Sequence, residues 1–402
     1  MKILNTIWKK ITDTDALKSA SGNIEIQFFE LIYRVTYIYG LSTSDNSVAY
    51  WIYSIAVKTM LALLVCCEFW NFFSITWNIE EIIDGLNVIL IQFGAFSKYR
   101  TSNRHVFKTL ASSMQSGNFD LSTEKRKIIL ETWRTRNKAW LKLLFGIGTC
   151  TVVAWHIYPL VDELEYNLMV SIRLPFDYKT PFRYTITYII TLIAFSLISY
   201  FVMTNDLIVQ VHLMHILCQF SILNDCFKNI LNDCQSSFKD IDTEYLHLNK
   251  EFTQVYKRRL GTLTDQHKLI LRNTLKLRDL MSISMLIQLG TSTTLICSIS
   301  YQLTTSVDVN MTKGIMSLFY LGYNMFVLYI VCRWCEEIKI QSESISEAVY
   351  FSRWENGIVT VPGVRTSILL IMARAHKPTG LSAGGMYELS LEAYANVRTT
   401  VY

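Results

Sequence analysis

Residues 184–204 read YTITYIITLIAFSLISYFVMT, an apolar run without one charged side chain. A bilayer core of about 30 Å is crossed by about 20 helical residues, so this run is a transmembrane span. It sets the class of the whole chain. Working outward, the same test selects 48–77, with Lys58 and Glu68 as its internal charges. It also selects 140–161, the uncharged 281–303, and 314–332. The run 82–96 is shorter and carries Asp84, Asn87 and Gln92. A seventh candidate is divided. Residues 364–372 are apolar for only about two turns. After Pro378-Thr379-Gly380, residues 381–402 follow a helical pattern that is only half apolar. The sequence therefore predicts an all-α membrane protein with seven transmembrane helices.

Composition agrees once its distribution is considered. The 402 residues are 51% hydrophobic, 13% aromatic and 18% charged, and mean hydropathy is +0.25. Soluble chains carry about 25% charge. The aromatic content excludes intrinsic disorder, and 5 prolines with 16 glycines exclude low-complexity linkers.

Loop charge orients the spans. No Lys or Arg separates the first two, and only Arg173, Lys179 and Arg183 lie between the third and fourth. The other side holds Lys2, Lys9, Lys10, Lys18 and Arg34, then ten cations from Lys98 to Lys138 and ten from Lys228 to Arg278. The N-terminus is predicted to be cytoplasmic. The net charge of +5 follows from this bias. The cations are spread over separate loops, so no nucleic-acid partner is expected. The first 24 residues lack an apolar h-region, so the first span is expected to act as its own targeting signal. The one sequon, Asn310-Met311-Thr312, falls in a predicted outer loop, and none of the nine cysteines does.

The inner segments read as long helical extensions rather than loops. Residues 242–278 show an apolar stripe through Leu246, Phe252, Val255, Tyr256, Leu263, Ile270 and Leu277. The fourth span continues inward to Phe227, and the sixth continues through Ile338, Ile345 and Ala348 to Trp354. Such stripes need cover, from one another or from a second chain. Ahead of the first span, 24–39 reads as an amphipathic helix. It either lies at the membrane interface or packs on the bundle. The resulting segments are an N-terminal 1–47, spans one to four at 48–204, an inner extension at 205–279, spans five and six at 280–334, inner anchor helices at 335–377, and a last helix at 378–402.

Signatures of enzymes are missing. The sequence has no GxSxG, P-loop or GxGxxG. His212 and His215 share a helix face without a third ligand and read as a surface pair. Cys332 and Cys335 read as helix packing. No cofactor or metal is expected. Lys58 should either snorkel to the inner face or point into the bundle.

The last segment is the informative one. Glu388, Glu392, Asn396, Thr399 and Thr400 fall on one helical stripe beside Met386, Leu389, Ala393 and Val397. Carboxylates in a membrane need water or a protein partner. Two readings follow: a helix lining a cation-conducting pore, or a polar helix enclosed by the bundle.

The same region resembles the C-terminal signature of insect odorant receptors. The matching residues are Ser344-Ile345, Ala348, Tyr350, Trp354, Arg374-Ala375-His376-Lys377-Pro378, Ser382-Ala383-Gly384-Gly385 and Leu389-Ser390-Leu391-Glu392-Ala393-Tyr394. Leu174-Pro175-Phe176-Asp177 and Pro181-Phe182-Arg183-Tyr184 resemble that family's second outer loop. Family members continue past an aromatic-Ser-aromatic stretch beyond the position of Tyr402, so the last helix is expected to be short.

The resemblance implies an odorant-gated, non-selective cation channel in the plasma membrane of a sensory dendrite. Its subunits would form a heterotetramer with the shared odorant receptor co-receptor, and each last helix would line a central pore. A volatile odorant or pheromone would bind in the outer half of the bundle. The faces that orientation selects there are Asn87, Thr151, Ala154, Tyr158, Tyr188, Leu192, Tyr320 and Tyr323. An aromatic, mostly apolar cavity suits such a ligand. Two alternatives compete with this reading. A metabotropic seven-helix receptor predicts an outside N-terminus and an NPxxY-like element, neither of which is found. A gustatory-type receptor of the same superfamily predicts a Thr-Tyr and Gln-Phe pattern in the last helix, also missing.

Overall fold

From Lys250 the expected inner extension runs without a break into the expected fifth span, as one helix. This is seen in a computed structural model that describes residues 26–40, 48–74, 120–161, 166–236, 238, 245–306, 311–355 and 357–399, with 82–83, 85–87, 89–90, 92–94 and 97. The described elements are α1 (Ile26–Ile38), α2 (Val48–Phe73), α3 (Glu124–Val161), α4 (Pro181–Lys228), α5 (Ile230–Gln235), α6 (Lys250–Ser306), α7 (Met311–Tyr350) and α8 (Val364–Ala375). An antiparallel hairpin, β1 (Ser382–Ala383) with β2 (Tyr387–Glu388), leads into α9 (Leu391–Thr399). Among the described residues, α2, α3, α4, α6 and α7 are long and apolar enough to cross a membrane. Asp84, Val88, Ile91, Ala95 and Phe96 of the expected second span lie outside the described residues, as do Asn310 and Thr400.

Local chemistry sets the boundaries. Pro181 opens α4, where its missing N–H and fixed φ suit the first helical turn. Asn249 opens α6, its Oδ1 accepting from the Glu251 and Phe252 amides at 2.8 and 3.1 Å. The helix expected from residue 242 thus begins later, at this cap. Its 57 residues make a rod of about 85 Å, far longer than a bilayer core.

α4 is the axis of the fold, and its burial changes along its length. From Pro181 to Ile198 only Thr187, Thr191, Ala194 and Ile198 are buried, one helical stripe, while Ile186, Ile189, Ile190 and Ile193 are exposed. From Met203 to Phe227 nearly every side chain is enclosed. There α1, α3, α6 and α7 surround it.

The α6 stripe supplies part of that cover. Leu246, Phe252, Tyr256, Leu263, Ile270 and Leu277 are buried against the rest of the chain, as are Ile338, Ile345 and Ala348 of α7. Apart from Val255, which is exposed, those stripes are therefore covered within the chain. α1 resolves its two readings in the same way, because Phe28, Phe29 and Ile32 belong to the core. The His212 and His215 rings are not at the surface, as the sequence suggested. They are buried edge-on against Phe29 and Phe28, at 5.0 and 4.9 Å between centroids.

A buried ion cluster holds the charged end together. Arg126 of α3 is fully enclosed, with Asp120 at 2.7 Å, Asp225 of α4 at 3.0 Å and Asp233 of α5 at 2.6 Å. Arg259 of α6 joins Asp120 and, at 3.1 Å, Asp233. Burial alone would raise the Asp120 carboxyl. The Ser122 hydroxyl and amide, with Arg259 and Arg126, outweigh it and hold that carboxyl below its ordinary range.

Candidate ligand cavity and last helix

Between α2, α3, α4 and α7 lies a cavity of about 110 Å³. α3 contributes Gly148, Thr151, Val152 and Trp155; α4 contributes Phe195, Ile198, Ser199, Val202, Met203 and Asp206; α7 contributes Tyr320, Tyr323 and Asn324. Glu68 of α2 and Gln92 complete the wall with Val170 of the loop between α3 and α4. That loop folds inward. Leu168, Val170 and Ile172 are buried with Leu64, Ala194 and Ile198, and this plug closes one end of the cavity.

The wall is mainly aromatic and aliphatic. Trp155 and Phe195 sit 5.6 Å apart, and Tyr320 meets Trp155 edge-on at 6.5 Å. Close approach of α3 to α4 is needed to shape it. A Cβ on Gly148 would stand 2.6 Å from Met203 Sδ, so any larger residue there would displace the Met203 side chain in the cavity wall.

Of the residues the sequence selected, Thr151, Tyr320 and Tyr323 line this cavity. Ala154, Tyr158, Tyr188, Leu192 and Asn87 are not in its lining. The cavity sits deeper along α4 than Tyr188 and Leu192, and Tyr188 packs against the plug instead. The Tyr188 hydroxyl instead donates to the His156 carbonyl at 2.7 Å, tying α4 to α3. Asn87 Oδ1 is buried without a partner, away from the cavity wall.

Sequence reasoning missed Trp155, Phe195, Ser199, Met203 and both carboxylates, Glu68 and Asp206. The available signal was a carboxylate on the enclosed face of an apolar helix, a rare and functional placement. Lys58 is exposed on α2 and does not enter the bundle.

The last segment is not one helix. Glu388 stands on β2, not on a stripe with Glu392, and Met386 is exposed in the hairpin. The turn explains why. Gly384 and Gly385 adopt φ of +62° and +71°, a left-handed conformation that breaks any helix and favours glycine. A Cβ on Gly384 would also sit 2.6 Å from Leu286 Cδ2 of α6. The two glycines therefore make a turn docked on α6, through the Gly384 amide and the Ser282 carbonyl at 2.9 Å, and do not make room for helix crossing.

α9 then starts at Ser390, whose Oγ accepts from the Ala393 amide at 3.1 Å. The Leu391 amide donates to Glu336 Oε2 of α7 at 2.8 Å. Tyr394 packs against Tyr329, which turns Glu392 and Asn396 to the exposed face. Thr399 is the last described helical position.

Comparisons with known proteins follow this architecture. The chain is 19% identical over 315 residues to odorant receptor 13a of Drosophila melanogaster, covering 74% of this chain and 72% of that one. It is 23% identical over 150 residues to the odorant receptor coreceptor of the same organism, covering 37% of this chain and 30% of that one. The solved olfactory receptor OR5 of Machilis hrabei superposes with a TM-score of 0.77 at 17% identity, over 94% of this chain and 96% of that one. That receptor in complex with eugenol gives 0.75 at 16% identity, with the same coverage of both chains. These likenesses show the fold of a membrane receptor. The family model described as 7tm Odorant receptor matches residues 78–402, and the chain belongs to that family.

Proposed function

We propose that the chain is an odorant-receptor subunit that forms an odorant-gated cation channel with a shared co-receptor in the plasma membrane of a sensory neuron. The observation that carries this reading is the enclosed aromatic cavity between α2, α3, α4 and α7. Its wall has the chemistry of a site for a small, mostly apolar ligand. Its family is one of receptors rather than enzymes. OR5 has been solved with eugenol bound, which supports a volatile organic ligand here. Binding opens a pore only if the open state holds the ligand more tightly than the closed one.

Assembly has its own support. Ile340, Tyr350, Phe351, Leu369 and Leu370 are exposed on α7 and α8, at the charged end of the bundle. Apolar side chains grouped in water mark an interaction surface. Glu392 and Asn396, exposed on α9, are candidates for the lining of a central pore, and the loop charges orient the N-terminus to the cytoplasm. The test is co-expression with the co-receptor and recording of odorant-evoked cation current. Currents that need both chains support the reading. No current across a broad odorant panel, with the protein at the cell surface, would overturn it.

A further inference from the structure

Glu68 engages one carboxylate oxygen and leaves the other unmet. Its Oε2 accepts from Gln92 Nε2 at 2.8 Å. Its Oε1 is enclosed and meets no donor. The residue is 3% exposed and lines the cavity. A buried polar atom without a partner carries its full desolvation cost, and such atoms call for an explanation such as a bound group.

The wall cannot satisfy it. No Lys, Arg or His lines the cavity. Three of its donors are engaged elsewhere: Thr151 Oγ1 with the Ile147 carbonyl at 3.0 Å, Asn324 Nδ2 with the Tyr320 carbonyl at 3.0 Å, and the Tyr323 hydroxyl with Asp206 Oδ2 at 3.3 Å. Glu68 Oε1 therefore stands unmet beside a mainly apolar space. A ligand that brought only acceptors, such as an ether or ester, would leave it so. One that brings a donor meets it.

We infer that this cavity selects ligands with a hydrogen-bond donor, a hydroxyl or a protonated amine, on an aromatic or aliphatic body, and that Glu68 Oε1 accepts that bond. The body packs against Trp155, Phe195 and Tyr320. This rests on the reading of the cavity as the odorant site and deepens it to a ligand class.

The experiment uses a panel of matched probes on common skeletons, recorded with the co-receptor. It includes benzyl alcohol and benzylamine against benzyl methyl ether, and eugenol against methyl eugenol. The donor-bearing member should act at about tenfold lower concentration than its capped partner, the worth of one buried hydrogen bond. Glu68→Leu should erase that difference. Glu68→Gln, which keeps an acceptor, should retain it for the alcohols and weaken it for benzylamine. Equal potency of capped and uncapped probes on the unaltered protein would overturn the inference, as would a preference that survives Glu68→Leu. The comparison on the unaltered protein decides even if a variant fails to reach the surface. Silence toward every probe would instead sink the receptor reading, whereas currents indifferent to the donor would sink this inference alone.

Discussion

Lys339 Nζ of α7 lies 2.8 Å from Glu388 Oε1, and this ion pair ties α7 to the hairpin that leads into α9. The Glu388 carboxylate, by hydrogen bond and charge, raises the Lys339 ammonium above its ordinary value. Their side chains are 41% and 51% exposed, so the pair stabilises the fold by at most about 1 kcal/mol. Its effect should be on the position of α9. Lys339→Glu and Glu388→Lys should each change odorant-evoked current while leaving the melting temperature nearly unchanged, and the double exchange should restore the current. Glu392→Gln, on the exposed face of α9, should change cation selectivity or block without that rescue. Recordings of reversal potential for the set check both statements.

Arg126 offers a larger stability effect. Replacing it with Leu leaves Asp225 and Asp233 facing each other without the guanidinium between them. Removing one partner of a buried ion pair costs about 3–5 kcal/mol. The variant should melt well below the parent in detergent, and restoring a cation with Arg126→Lys should recover only part of the loss, because the forked geometry is missing.

Acid should loosen the charged end of the bundle through His267. Burial first, and then the Arg374 cation, lower this imidazole from 6.5 to about 4. The unfolded chain therefore binds a proton between those values that the folded chain excludes. Stability should be flat above pH 6.5 and fall as the pH drops from about 6.5 toward about 4. His267→Leu should flatten that slope, as read by thermal unfolding across the range.

Tyr188 and Tyr323 separate the wall of the cavity from its surroundings. Tyr188→Phe removes a tie to the His156 carbonyl and should leave odorant potency within about twofold, well under the 1.4 kcal/mol that equals a factor of ten. Tyr323→Phe removes the hydrogen bond to Asp206 in the cavity wall and should shift potency by about tenfold. Concentration–response curves for the same odorant on both variants decide it.

Much of the fold was legible in the sequence because lipid imposes one simple demand. The uncharged run 184–204 had to be a helix, and the stripe from Leu246 to Leu277 had to be covered. Which partner covered it was not legible, and it proved to be the same chain. The last segment misled for a reason of spacing. Glu388 and Glu392 are four apart, which fits a helix, but also fits a strand followed by a helix start. Gly384-Gly385 was the signal that distinguishes them, since adjacent glycines permit the left-handed turn found there. The cavity was placed too near the end of α4 because the plug is a tertiary event. Its only trace in the sequence is Leu168-Met169-Val170, three apolar residues in a loop that had to be buried somewhere.

The two burial regimes of α4 bear on how such a receptor diversifies. In the half that starts at Pro181, a substitution at Ile186 or Ile190 exchanges one greasy surface for another. Changes at Phe195 or Ser199 reshape a hole that already exists. In the half that ends at Lys228, the same change displaces atoms on every side. One rod thus joins a stretch that tolerates apolar exchange to a stretch packed on every side, so the cavity end can change without disturbing the charged end.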